Sequence, residues 1–256
     1  MNIGLDITPI IYGRGVSRYT ANLAKSLIEH KSINLSVLGY SWRSKEKLEK
    51  FVKDNHIPYS SLHSTPPFLM GMLWKLGKQS VKSHLPKIDL FHSWDWLQPP
   101  DKNLPLVSTI HDVAMIKYPE TAHPKILAAH QRSWKILKER QSQIIAVSRT
   151  TKNDIVNLLG IPSYLVHVVH EALPEEFKET SQQLTEDEAK YIKEKLELTK
   201  PYLLFVGTRE PRKNLTRLIE AWQPFAKDYQ LIVAGEKGWD KTEGVHHPEL
   251  RFLGHV

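Results

Sequence analysis

There is no cysteine among the 256 residues. That excludes disulfides, thiolate metal sites and cysteine nucleophiles, and it suits a reducing compartment. No apolar run approaches the roughly 18 to 20 residues of a membrane-spanning helix. The N-terminus, Met1-Asn2-Ile3-Gly4-Leu5-Asp6-Ile7, has neither the basic head nor the apolar core of a signal peptide and reads as a buried strand. Several catalytic signatures are missing as well. There is no His-Glu-x-x-His, no Walker loop after Gly207, and no pair of glycines flanking Ser148 to make a nucleophile elbow. Arg18 stands where a dinucleotide fingerprint needs its third glycine, which argues against a nicotinamide-dependent enzyme.

What is present is a net charge of +7. Such an excess points to an anionic partner, whether a nucleotide, an acidic lipid surface or nucleic acid. Nucleic acid is the weakest of the three, because the aromatic residues are not interleaved with the basic ones as a stacking platform.

Strand-like and helix-like patterns alternate almost throughout. Residues 3–7, 33–39, 88–91, 106–110, 144–147 and 165–169 read as short buried strands. Helical patterns cover 18–29, 45–53, 125–139 and 150–159. This alternation predicts an α/β domain with a doubly wound parallel sheet over residues 1–172, with ligands at the carboxyl ends of its strands. Residues 173–200, with Pro174, a polar stretch and the charged run from Glu186 to Glu197, read as a linker carrying a surface helix. From residue 201 to 256 a second βα pattern opens: strand 202–206, helix 215–225, strand 230–234 and a last strand near Arg251. Three strands and one clear helix fall short of a complete doubly wound domain, so a chain cut short is expected.

The strongest local feature is Val206-Gly207-Thr208-Arg209-Glu210-Pro211-Arg212-Lys213-Asn214. Gly207 ends a strand, Asn214 is a candidate N-cap, and Leu215, Leu218, Ile219 and Trp222 give the next helix its apolar stripe. Three cations in a strand-to-helix turn, near the positive end of a helix dipole, suit a diphosphate; a solvated basic loop is the alternative. The loop Gly13-Arg14-Gly15-Val16-Ser17-Arg18-Tyr19 is a second candidate ligand loop, with a plain structural turn as its alternative. His111-Asp112 follows the strand 106–110 at the end where chemistry is expected, and His92 stands in a similar place. A lone histidine is usually structural or merely exposed, and that is the alternative for both, with His92 the weaker candidate. Ser148 reads as a helix N-cap. Residues 68–82 are basic, apolar and free of acids, and suit either an interfacial helix on anionic lipid or a core-packed helix with lysines outward.

Together these motifs resemble glycosyltransferase family four, retaining enzymes of the GT-B fold with two facing Rossmann-like domains. Gly15-Val16-Ser17-Arg18-Tyr19-Thr20 is similar to the family's Gly-Ile-Gly-Arg-Tyr loop, with Ser17 for the middle glycine. Val107 to Asp112 resembles the strand ending in His-Asp, and residues 145–152 resemble its V-S-x-x-T-K segment. Leu204 to Asn214 is the most specific match, to L-x-V-G-T-x-E-P-R-K-N. Leu231 to Gly235 and Phe252 to Gly254 look like the next two strand ends. Two departures stand out. His170-Glu171-Ala172 replaces the family's Asn-Gly, and the chain ends before the Glu-x7-Glu motif.

The resemblance implies transfer of a sugar, with retention, from a nucleotide-diphosphate donor such as GDP-mannose or a UDP-sugar to a polysaccharide or lipid-linked acceptor. It implies no metal and no cofactor, with Arg209 and Lys213 neutralising the leaving diphosphate in place of an Asp-x-Asp-bound metal. Gly15 would let the backbone approach the donor, and His111 would contact the donor sugar. Arg14, Arg18, His92 and Asp112 would lie on the acceptor side. The expected setting is the cytoplasm, in peripheral contact with an anionic inner membrane face. The alternative is a truncated, catalytically inactive fragment that binds acceptor or partner.

Overall fold

The computed structural model describes residues 1–13, 15–174, 184–240, 242 and 244–255. The chain divides into two compact units, the first made of Met1–Pro119 and His123–Pro174. The second contains the described residues from Leu184 onward.

The first unit is built on one parallel sheet. Its strands are β1 (Asn2–Asp6), β2 (Asn34–Tyr40), β3 (Tyr59–His63), β4 (Leu90–Ser93), β5 (Leu106–Ile110), β6 (Gln143–Ala146) and β7 (Val166–Val168). They lie in the order β3-β2-β1-β4-β5-β6-β7. The chain winds outward from β1 to β3, then returns to lay β4 on the other side of β1. The strand order therefore reverses between β1 and β4, and a crevice opens at their carboxyl ends. Strand β2 shows how both faces are filled: Leu35 and Val37 enter one apolar cluster, Leu38 and Tyr40 the other. Period-two alternation with both faces apolar is the pattern of a sheet covered on each side. Helices α1 (Gly15–Glu29) and α2 (Lys45–Asp54) contribute Ala24 and Leu48 to the first cluster. Helices α3 (Pro67–Lys75) and α6 (Pro124–Glu139) contribute Trp74, Trp134 and Leu137 to the second. Short helices α4 (Val81–His84), α5 (Ala114–Lys117) and α7 (Arg149–Asp154) complete the unit.

Two local differences from the sequence reading have clear causes. Strand β3 is polar in sequence and was not foreseen; as an edge strand it needs one partner and little burial. Helix α1 begins at Gly15, so Val16, Ser17 and Arg18 are helical instead of forming the loop. A 3-10 turn over Thr8–Tyr12 comes between β1 and that helix, and the buried Ser17 hydroxyl donates to the Pro9 carbonyl at 2.6 Å, tying the two together.

The basic apolar stretch is two helices, α3 and α4, with two unlike sides to α3. Met70 and Trp74 are buried in the core, whereas Phe68 is 80% exposed and Met72 and Leu76 are also exposed. Among the described residues no helix is long and apolar enough to cross a membrane.

The second unit holds helix α8 (Glu186–Lys195), strand β8 (Tyr202–Val206), helix α9 (Leu215–Trp222), β9 (Gln230–Ala234) and β10 (Leu250–Gly254). Thr185 and Glu188 form a reciprocal capping box that starts α8, which buries no residue. The three strands are parallel in the order β10-β9-β8. Central β9 is wholly buried, and Leu215, Ile219 and Trp222 of α9 pack on Leu231, Val233 and Leu250. Outer strand β8 instead exposes Tyr202, Leu203, Leu204 and Val206.

Candidate functional site

In the first unit Asp6, Tyr19, His92, Asp95, Thr109 and His111 line a narrow crevice that opens to solvent. Each comes from a strand end or from the first turns of α1. Asp6 closes β1 and is almost fully buried, where its Oδ1 accepts the Thr8 N–H at 2.9 Å. Burial pushes this carboxyl up to about 6, against the opposing pull of the Thr8 hydrogen bonds. Thr109, on β5, places its hydroxyl 2.8 Å from the Tyr19 hydroxyl and 3.0 Å from His92 Nε2. His92 is buried, and desolvation with the neighbouring His111 pulls its ring down to about 4. It is therefore neutral near pH 7.

His111 is held from three directions. Its Nδ1 lies 3.1 Å from Glu171 Oε1, the Tyr19 ring meets it edge-on at 4.9 Å, and its carbonyl accepts the Thr151 hydroxyl at 3.2 Å. Ser148 in turn caps α7 by accepting the Thr151 N–H at 3.0 Å. Deeper in, Asp95 Oδ2 sits 3.6 Å from His130 Nδ1. Desolvation, reinforced by Asp112, raises Asp95 to about 7, while burial lowers His130 to about 4. A carboxyl raised to about 7 and a neutral imidazole thus face each other, with Asp95 in the lining of the crevice.

Other residues singled out in the sequence lie elsewhere. A Cβ added at Gly15 would meet nothing within 4 Å, so open space faces the first turn of α1. Arg18 is exposed on α1 and does not line the crevice. Asp112 is exposed, and its Oδ1 accepts the Ala114 N–H at 2.9 Å ahead of α5. Arg14 lies outside the described residues. Sequence reading passed over Asp6 and Asp95 as individual sites and saw Glu171 only as a departure from a motif. An acid that ends an apolar strand, as in Ile3-Gly4-Leu5-Asp6, was the signal available.

In the second unit the cationic turn after β8 is clamped by backbone. Gly207 N–H donates to Ala234 O at 2.9 Å, Arg209 N–H to Glu236 O at 3.1 Å, and Asp240 N–H to Arg209 O at 3.2 Å. A Cβ at Gly235, where φ is +142°, would lie 2.0 Å from the Gly207 carbonyl oxygen, and one at Gly238 would lie 2.1 Å from that of Arg209. Only glycine permits this approach. Arg209 spreads its guanidinium over the Phe252 ring at 4.9 Å, with a buried Nε that has no hydrogen-bond partner among the described residues. Arg212 is 3.4 Å from Glu210, which answers its charge. Lys213 is exposed and forms no ion pair among the described residues. Of the three cations, two remain for a ligand. Asn214 corrects the expected cap: it takes the left-handed conformation (φ 54°, ψ 38°) and makes no side-chain cap bond. A single 3-10 turn, Pro211–Lys213, delivers the chain to it.

The model of Glycosyltransferase Family 4 matches residues 13–177. O-antigen chain mannosyltransferase B of Escherichia coli is 27% identical over 163 residues, 59% of this chain and 42% of that protein. The match thus spans less than half the length of that curated relative. Several solved structures match over the whole chain, among them the following two. Anabaena HepE in complex with UDP and glucose has a TM-score of 0.65 at 16% identity, with 69% of its own chain covered. WaaG, a glycosyltransferase involved in lipopolysaccharide biosynthesis, gives 0.63 at 14% identity, with 70% covered. These likenesses give the α/β architecture as the GT-B type, with one seven-stranded and one three-stranded parallel sheet. With more than half of its length matched by the family model, the chain belongs to Glycosyltransferase Family 4.

Proposed function

We propose that this chain carries the diphosphate-binding turn and the acceptor-side crevice of a nucleotide-sugar-dependent glycosyltransferase. The observation that carries the reading is the pair Arg209 and Lys213. One is laid on Phe252 and the other is exposed with no ion pair among the described residues, while their neighbour Arg212 is answered by Glu210. Cleaving a nucleotide sugar builds negative charge on the departing diphosphate. Fixed cations at that point stabilise the transition state more than the ground state. This supports transfer without a metal, with the two side chains doing the work of a bound cation. The clamped backbone around Gly207 and Gly235 keeps reorganisation small.

In the first unit we assign His111 to contact with the reacting sugar, and the crevice to the acceptor. The donor is a GDP- or UDP-sugar and the acceptor a polysaccharide or lipid-linked glycan, transferred with retention. The named mannosyltransferase relative and the UDP complex of a structural neighbour support this range. The setting is cytoplasmic. Peripheral contact with anionic lipid falls to α3, whose Phe68, Met72 and Leu76 lie exposed near Lys75 and Lys78.

The test is a screen of GDP-, UDP- and ADP-sugars for binding and transfer, using the polypeptide of the complete open reading frame. One donor class bound through Lys213 and turned over supports the reading. Glycan binding with no donor binding would replace it with a non-transferring binder.

A further inference from the structure

Three aromatic rings cluster beside the crevice, one of them in its lining, and the donor chemistry uses none of them. Trp94 lines the crevice, and its ring centroid is 4.9 Å from that of Trp96 with the planes 31° apart. Tyr12 lies 5.6 Å from Trp94 and meets Trp96 edge-on at 6.1 Å. Tyr12 ends the turn after β1, whereas the tryptophans follow β4, so the switch point of the sheet brings them together. Both tryptophans are half-buried and Tyr12 is 44% exposed, which leaves large apolar rings partly in water. Partial exposure of one such ring is ordinary, but three clustered together make a contiguous apolar surface.

Asp95 sits between the two tryptophans in sequence and lines the same crevice, with its side chain one-fifth exposed. Its distance of 3.6 Å from His130 is too long for a hydrogen bond. No other residue's side chain donates to it among the described residues. A partly buried carboxyl with spare acceptor capacity therefore stands beside an apolar platform.

We propose that Tyr12, Trp94, Trp96 and Asp95 form a subsite for one pyranose ring of a glycan, the aromatic rings packing against its C–H face and Asp95 accepting hydrogen bonds from its hydroxyls. A sugar ring has one largely C–H face and an edge of hydroxyls, and the site offers a surface for each. An organic cation is the rival for aromatic rings beside a carboxylate. It needs rings that enclose a space, whereas Trp94 and Trp96 lie against each other and make a surface. The role of this subsite as an acceptor site rests on the transferase reading above; the binding itself does not.

Saturation-transfer NMR on the 256-residue chain tests it, with the methyl α-pyranosides of mannose, glucose and galactose at millimolar concentration and tetramethylammonium as the rival probe. The expected result is saturation on the ring C–H protons of at least one pyranoside. Tyr12→Ala and Trp96→Ala should weaken it about five- to tenfold, with unchanged thermal melting. Asp95→Asn should weaken binding at pH 8 more than at pH 5, because only the ionised carboxylate accepts from two hydroxyls at once. Absence of transfer to all three sugars overturns the proposal. So does equal transfer in both aromatic variants, or transfer to tetramethylammonium alone. A parallel titration with GDP and UDP, on the polypeptide of the complete open reading frame, separates the two readings. Sugar binding without nucleotide binding keeps the subsite and sinks the transferase role.

Discussion

His111 Nδ1 lies 3.1 Å from Glu171 Oε1, a pairing across 60 residues of sequence between the end of β5 and the stretch after β7. A carboxylate on Nδ1 fixes the orientation of the imidazole ring. Glu171 stands where the family resemblance expects Asn-Gly, so this chain supplies its own support for the histidine. Glu171→Gln keeps the size and removes the charge. Transfer turnover should fall about tenfold, against about a hundredfold for His111→Ala, with donor affinity nearly unchanged in both. Steady-state kinetics with separate donor and acceptor titrations will check the split.

Lys213 is exposed, so its removal leaves the fold intact. Lys213→Ala should lower turnover by about two to three orders of magnitude while thermal melting is retained. Arg209→Ala should match it in activity and also lose some stability, because the guanidinium covers Phe252. Near-normal turnover in Lys213→Ala would end its assigned role.

Asp95 gives a pH-dependent stability of known sign. Its carboxyl titrates near 7 in the folded chain against 3.8 in the unfolded one. The folded state therefore holds the extra proton between those values. The contribution to stability is complete below about pH 4 and is lost as the pH rises through 7. Asp95→Asn should raise unfolding stability at pH 8 by on the order of 2–4 kcal/mol and leave it unchanged at pH 4. Urea unfolding at the two pH values decides this. His92 works in the opposite sense: with its ring lowered to about 4, its contribution is lost as the pH falls from 6.5 toward 4.

The outer face of α3 is apolar where a surface helix is usually polar. Replacing Phe68 and Met72 together by serine should weaken sedimentation with phosphatidylglycerol vesicles about tenfold or more, without changing the melting temperature. Equal sedimentation of the double variant would leave α3 without a lipid role.

Strand β8 exposes four apolar residues on the outer side of a parallel sheet. Such an edge recruits other strands. Leu204→Lys should raise the concentration at which the 256-residue chain self-associates, by about threefold or more in light scattering.

Much was legible in the sequence by itself because it is local. The βα alternation, the buried strands β1, β5 and β9, the stripe of α9 and the Ser148 cap each depend on residues within a few positions of one another. So did the gathering of cations between Gly207 and Asn214. Tertiary structure decided the rest. Asp6, Tyr19, His92, Asp95, Thr109 and His111 become one crevice only because the sheet lays β4 beside β1 and β5 beside β4. Glu210 answers Arg212 but not Lys213, a matter of how one 3-10 turn aims three side chains. Burial then moves the carboxyls up and the imidazoles down. Desolvation depends on every neighbour at once, and no short stretch of sequence carries that sum.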